Sequence, residues 1–122
     1  MTNAAPRLVL SADKVAPAAA STIGTFHRAF VDEVIAAGAS ERVVVVGMAQ
    51  NPFVRRAHRA LKKNAIAFKA IDHGSYLGGY RQRLAVKMWS GYPTFPQVFV
   101  NGTLIGGCTD LEALITAGGL RA

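Results

Sequence analysis

Four consecutive valines, Val43-Val44-Val45-Val46, constrain the fold of this 122-residue chain more than any other feature. Branching at Cβ favours extended backbone, and a run with no polar alternation has no face to offer to water. Such a strand belongs in the middle of a sheet covered on both sides. Pro52 then stands where a helix would start, a position at which its missing N–H costs nothing. From there to Lys63-Asn64, helical spacing turns Phe53, Ala57, Ala60 and Leu61 inward and leaves Arg55, Arg56, Arg59, Lys62 and Lys63 to water. Ala65 to Asp72 reads as a second strand, so Val43 to Ile71 forms a β-α-β unit with parallel strands and a right-handed crossover.

The flanking segments complete a small domain. Upstream, Ile23, Phe26, Phe30, Val34 and Ile35 fall at helix-like spacing in one helix from Thr22 to Ala37, stopped by Gly38. Residues 1–20 are expected to be a flexible tail and residues 21–122 the domain. Downstream, a helix runs from Tyr80 to Trp89 behind Gly78-Gly79. Val98-Phe99-Val100 and Thr103-Leu104-Ile105 then flank Asn101-Gly102, the pair that accepts the positive φ angles of a type I′ hairpin turn. After Gly106-Gly107, Thr109 or Asp110 can cap a last helix through Ala117, which Gly118-Gly119 ends. The fold class is α/β: a thioredoxin-like arrangement with a four-stranded mixed sheet flanked by helices.

Composition excludes several functions. No apolar run approaches the roughly 20 residues a bilayer requires, and the first twenty residues lack a secretory core, so a cytoplasmic protein is expected. Fourteen Lys and Arg against seven Asp and Glu give a net charge of +7, which biases the surface toward anionic ligands, an acidic protein partner or nucleic acid without choosing among them. Nucleic acid is not expected, because no aromatic residues interleave with the charges of the 55–63 stretch. His27, His58 and His73 have no metal-ligand spacing, and no metal is expected. Cys108 is the only cysteine, which rules out two-cysteine redox chemistry within the chain.

Three segments together, Val43 to Val54, Trp89-Ser90-Gly91-Tyr92-Pro93-Thr94-Phe95-Pro96-Gln97-Val98-Phe99-Val100-Asn101-Gly102, and Leu104-Ile105-Gly106-Gly107-Cys108-Thr109-Asp110-Leu111, resemble a glutaredoxin over roughly residues 40 to 120. The C-terminal half is nearest to the one-cysteine class. Where that family carries Cys-Pro-Tyr-Cys or Cys-Gly-Phe-Ser, this chain has Asn51-Pro52-Phe53-Val54, and Met48 takes the place of the lysine that precedes the motif. The family's first cysteine attacks as a thiolate whose pKa a helix N-terminus and nearby cations lower. Asn51 has no sulfur with which to attack. It is also a poor ligand for the iron-sulfur cluster that one-cysteine members hold, so no such cluster is expected.

The resemblance further implies a retained glutathione groove. A cis Phe95-Pro96 peptide after Thr94 would present the Phe95 backbone to glutathione's cysteine like an added strand. The amides near Gly107 and Cys108 and the Thr109 hydroxyl would take the γ-glutamyl carboxylate, and Asp110 would face its ammonium. Arg83 and Lys87, one turn apart, would meet the glycine carboxylate. Trp89 and Tyr92 echo the aromatic stretch of the one-cysteine class, with Tyr92 where Trp is usual. Each residue also has a plain structural role open to it: Thr109 and Asp110 as caps, Arg83 and Lys87 as solvated charges, Cys108 as a small core residue. The expectation is a non-catalytic module binding glutathione or a peptide thiol partner in redox sensing or interaction. Two alternatives stay open: weak glutathione-dependent exchange through Cys108, and a basic protein-interaction module using the Arg55 to Lys63 helix.

Overall fold

In the computed structural model, which describes residues 7–122, a turn of 3-10 helix at Ala12–Lys14 precedes five α-helices and four strands. They run α1 (Pro17–Thr25), α2 (Arg28–Ser40), β1 (Val43–Gly47), α3 (Pro52–Lys63), β2 (Lys69–Asp72), α4 (Tyr80–Ser90), β3 (Gln97–Val100), β4 (Thr103–Gly106) and α5 (Cys108–Thr116). The sheet order is β2-β1-β3-β4. β1 pairs parallel with β2, Val45 opposite Ala70, and antiparallel with β3, Val45 opposite Val98.

The valine run lies in the interior of the sheet, every residue of β1 buried. Because successive side chains of a strand point to opposite faces, it feeds two cores. Val43 and Val45 pack with Ala57, Leu61, Cys108 and Leu111 beneath α3 and α5. Val44 and Val46 pack with Phe30, Val34, Val86 and Phe99 beneath α2 and α4. The hairpin closes as its turn residues dictate, with φ of 51° at Asn101 and 77° at Gly102.

Three expectations change. The single helix over 22–37 is two helices, broken where Phe26 turns extended and His27 adopts a left-handed conformation (φ 44°, ψ 41°). Hydroxyls of Thr22 and Thr25 bond back to the carbonyls of Ala18 and Ser21, and with Gly24 they weaken the helix at that end. Helix α1 therefore crosses the expected boundary between residues 20 and 21 and leaves Ile23 exposed. The part of the tail at residues 1–6 lies outside the described residues. Second, β2 begins at Lys69 rather than Ala65, because the N–H groups of Ala65 and Ile66 bond to Lys62 and Leu61 carbonyls and finish α3. Third, the inward positions of α3 are Val54, Ala57 and Leu61, while Phe53 is 53% exposed.

Candidate functional site

The site is built where three chain segments meet at one end of the sheet: the start of α3, the loop before β3, and the start of α5. Asn51 is the N-cap of α3, with extended φ and ψ of −88° and 119°. It is only 8% exposed, and its Oδ1 accepts the N–H groups of Phe53 at 2.8 Å and Val54 at 3.1 Å. Free N–H groups of this kind give a helix N-terminus its positive potential. Here the chain's own amide satisfies them. Met48, just upstream, is buried and adds no charge.

In the middle segment the Phe95–Pro96 peptide is cis, as the resemblance implies. Among the described residues, neither the N–H nor the C=O of Phe95 has a backbone partner. Gln97, wholly buried in β3, donates from Nε2 to the carbonyl of Tyr92 at 3.0 Å and so anchors the loop that carries Thr94 and Phe95.

In the third segment Gly107 is the N-cap of α5. Asp110, expected to cap the helix itself, works from its third position: Oδ2 accepts the Gly107 N–H at 3.0 Å, and the Tyr92 hydroxyl donates to the same oxygen at 3.4 Å. The Tyr92 pKa is raised, first by burial and then by the nearby Asp110 carboxylate. Gly106 has φ of 124°, and a Cβ there would collide with the Asp110 carboxylate, so this glycine is required by the protein's own packing.

Phe53, Tyr92, Thr94, Phe95, Pro96, Gly107, Cys108, Thr109 and Asp110 line one groove of about 300 Å³. That lies at the lower end of the roughly 300–1,000 Å³ of small-molecule sites. Cys108 contributes to it only weakly. It is 4% exposed and packs into the core beneath α3 and α5. Burial, and secondarily the charge of Glu112, raise its thiol pKa, against which Arg56 and Arg59 pull down. Lys87 holds its Nζ 5.5 Å from the Phe95 ring centroid, beside the groove.

Arg83 is elsewhere. It is 7% exposed and its Nη1 donates to the carbonyls of His73 at 2.8 Å and Gly78 at 2.7 Å, tying down the loop between β2 and α4. Its guanidinium is a structural clamp in this geometry rather than a groove cation. Trp89 likewise packs on Phe99, with ring centroids 5.7 Å apart. Two features of the groove escape the sequence reading. Helical spacing puts Phe53 in the core, one position out of phase, and the contact of Tyr92 with Asp110 is signalled only by a hydroxyl-bearing ring where Trp is usual. The only thiol lies in the core and the α3 cap is an amide already engaged, so this donor set does not suit an iron-sulfur cluster.

Comparison with known proteins agrees with this geometry. The glutaredoxin family model matches residues 43–105, just over half the chain. A glutaredoxin-like protein from Dictyostelium discoideum is 48% identical over 88 residues, covering 72% of each chain. The crystal structure of wheat glutaredoxin superposes with a TM-score of 0.65 at 32% identity, covering 76% of this chain and 86% of that one. A buckwheat glutaredoxin–glutathione complex shares the fold at a TM-score of 0.66 and 19% identity, covering 77% and 86%. With the family model matching from the start of β1 into β4 and a relative 48% identical over 72% of the chain, the chain belongs to the glutaredoxin family.

Proposed function

We propose that this protein is a glutaredoxin-like module that binds glutathione, or the glutathionyl-like end of a peptide, without performing thiol–disulfide exchange. The observation that carries this reading is the contrast within one site: the α3 N-cap is an amide committed to two backbone N–H groups, while the groove beside it keeps its polar fittings. The unpaired N–H and C=O of Phe95 suit strand-like pairing with a peptide backbone. The first N–H groups of α5 suit a carboxylate. Asp110 spends Oδ2 on Gly107 and Tyr92, which leaves Oδ1 for an ammonium. Lys87 beside Phe95 suits the second carboxylate. Burial and the upward pKa of Cys108 weigh against exchange through that thiol, since the thiolate is the attacking species.

The test is a titration of reduced glutathione into 15N-labelled protein. Saturable shifts at Phe95, Gly107, Thr109 and Asp110 are expected; their absence at millimolar glutathione refutes the reading. Such a module would sense glutathione or hold a glutathionylated partner, with no electron transfer of its own.

A further inference from the structure

On the far half of α5, away from the Gly107 end, lies a second and larger groove of about 820 Å³ between α3 and α5. Arg56, Arg59, Lys62 and Lys63 line it from α3, and Ala60 and Ile115 add apolar surface from the two helices. A single carboxylate, Glu112, stands among the four cations, and Arg56 holds it in a two-pronged ion pair at 2.5 and 2.8 Å. Arg59, Lys62 and Lys63 are exposed and have no salt-bridge partner among the described residues.

We propose that this groove docks an acidic peptide segment of a partner protein. The cations are spread rather than convergent: at about 1.5 Å rise per residue, Arg56 to Lys63 spans about 10 Å along α3. Carboxylates at alternate positions of an extended segment repeat about every 6.7 Å, so two of them fall within that row. A lone small anion would engage one end and leave the other bare. The strip between the helices, Ala60 and Ile115, takes an aliphatic side chain set among the acids. No aromatic residue lines the groove for base stacking, which favours a peptide over a single-stranded nucleic acid. The surface is independent of the glutathione groove and would function whether or not glutathione binds.

The experiment uses a fluorescein-labelled Glu-Asp-Leu-Glu-Asp peptide and the full chain, followed by anisotropy at low and physiological salt. Saturable binding that weakens with salt is expected. It should fall at least about tenfold when Arg59→Glu, Lys62→Glu and Lys63→Glu are combined, and severalfold when serine replaces the peptide's leucine. The milder pair Lys62→Gln and Lys63→Gln should lose a smaller part, which covers the case in which the triple variant folds poorly. No saturable binding at low salt, binding unchanged in both variants, or tighter binding of a single-stranded oligonucleotide of equal charge overturns the proposal.

Discussion

Replacing Asn51 by alanine tests what this residue does in the fold. Oδ1 is the acceptor for two N–H groups, and the Val54 group is buried whereas the Phe53 group is within reach of water. Loss of an N-cap costs about 0.5–2 kcal/mol, and a buried donor left without a partner costs about 1–3 kcal/mol. The two descriptions overlap, because the unsatisfied Val54 amide is most of the lost cap, so the expected cost of Asn51→Ala is about 2 kcal/mol. Asn51→Asp keeps an oxygen able to accept both N–H groups and adds a negative charge at a helix N-terminus, worth about 0.3–1 kcal/mol, so it should stay within about 1 kcal/mol of the parent. Urea denaturation of the three proteins at pH 7 measures the difference. Asn51→Ala within about 0.5 kcal/mol of the parent, or Asn51→Asp as damaging as Asn51→Ala, refutes the capping role.

Other consequences are equally specific. Cys108 should resist maleimide and oxidised glutathione in the native protein and react promptly in denaturant, because burial raises its pKa and shields it; fast native labelling would contradict its place in the core. Arg83→Met should destabilise by about 2–4 kcal/mol, since two carbonyls lose charge-assisted donors, yet leave glutathione-induced shifts at Gly107 and Asp110 in place. A loss of glutathione binding at unchanged stability would instead return Arg83 to the groove. His58 stacks near Phe68, and its pKa is lowered by burial and by Lys62, against an opposing pull from Asp72. The neutral imidazole is thus favoured in the fold, and its share of stability is present above the unfolded pKa of about 6.5 and lost as pH falls from there toward the folded value. An NMR titration midpoint at or above the unfolded value would contradict this.

Local chemistry is legible in this sequence; phase and partnership are not. The valine run announces its burial because no residue within it tolerates water, and Asn101-Gly102 announces its turn because few pairs accept two positive φ angles. Helical phase is harder to read. Taking Phe53 as an inward position gives a tidy spacing with Ala57 and Leu61, yet a shift of one residue rotates the face by about 100°, and the structure buries Val54 instead. The same ambiguity hides the break at Phe26 and His27, since the apolar spacing carries on across the two non-helical residues. The placing of Thr94 to Pro96 and Gly107 to Asp110 along one groove is legible because it rests on backbone shape, a cis peptide and a helix start. Arg83 is not, because its partners are carbonyls of a loop five and ten residues upstream and no side-chain pattern records them.

The proposed function rests on one contrast, a groove fitted for glutathione beside an α3 N-cap that carries an amide in place of a thiol, and placing a sulfur there tests both halves together. In a protein carrying Asn51→Cys and Cys108→Ala the introduced thiol sits at the α3 N-terminus, where the helix amides released by the loss of Asn51 Oδ1 lower its pKa. With oxidised glutathione, the introduced thiolate would bond to one glutathionyl sulfur and release the other half as glutathione. Intact-mass measurement under native conditions should find one glutathionyl adduct on this variant and none on the parent. An unmodified variant, or a parent modified at Cys108, would contradict the account.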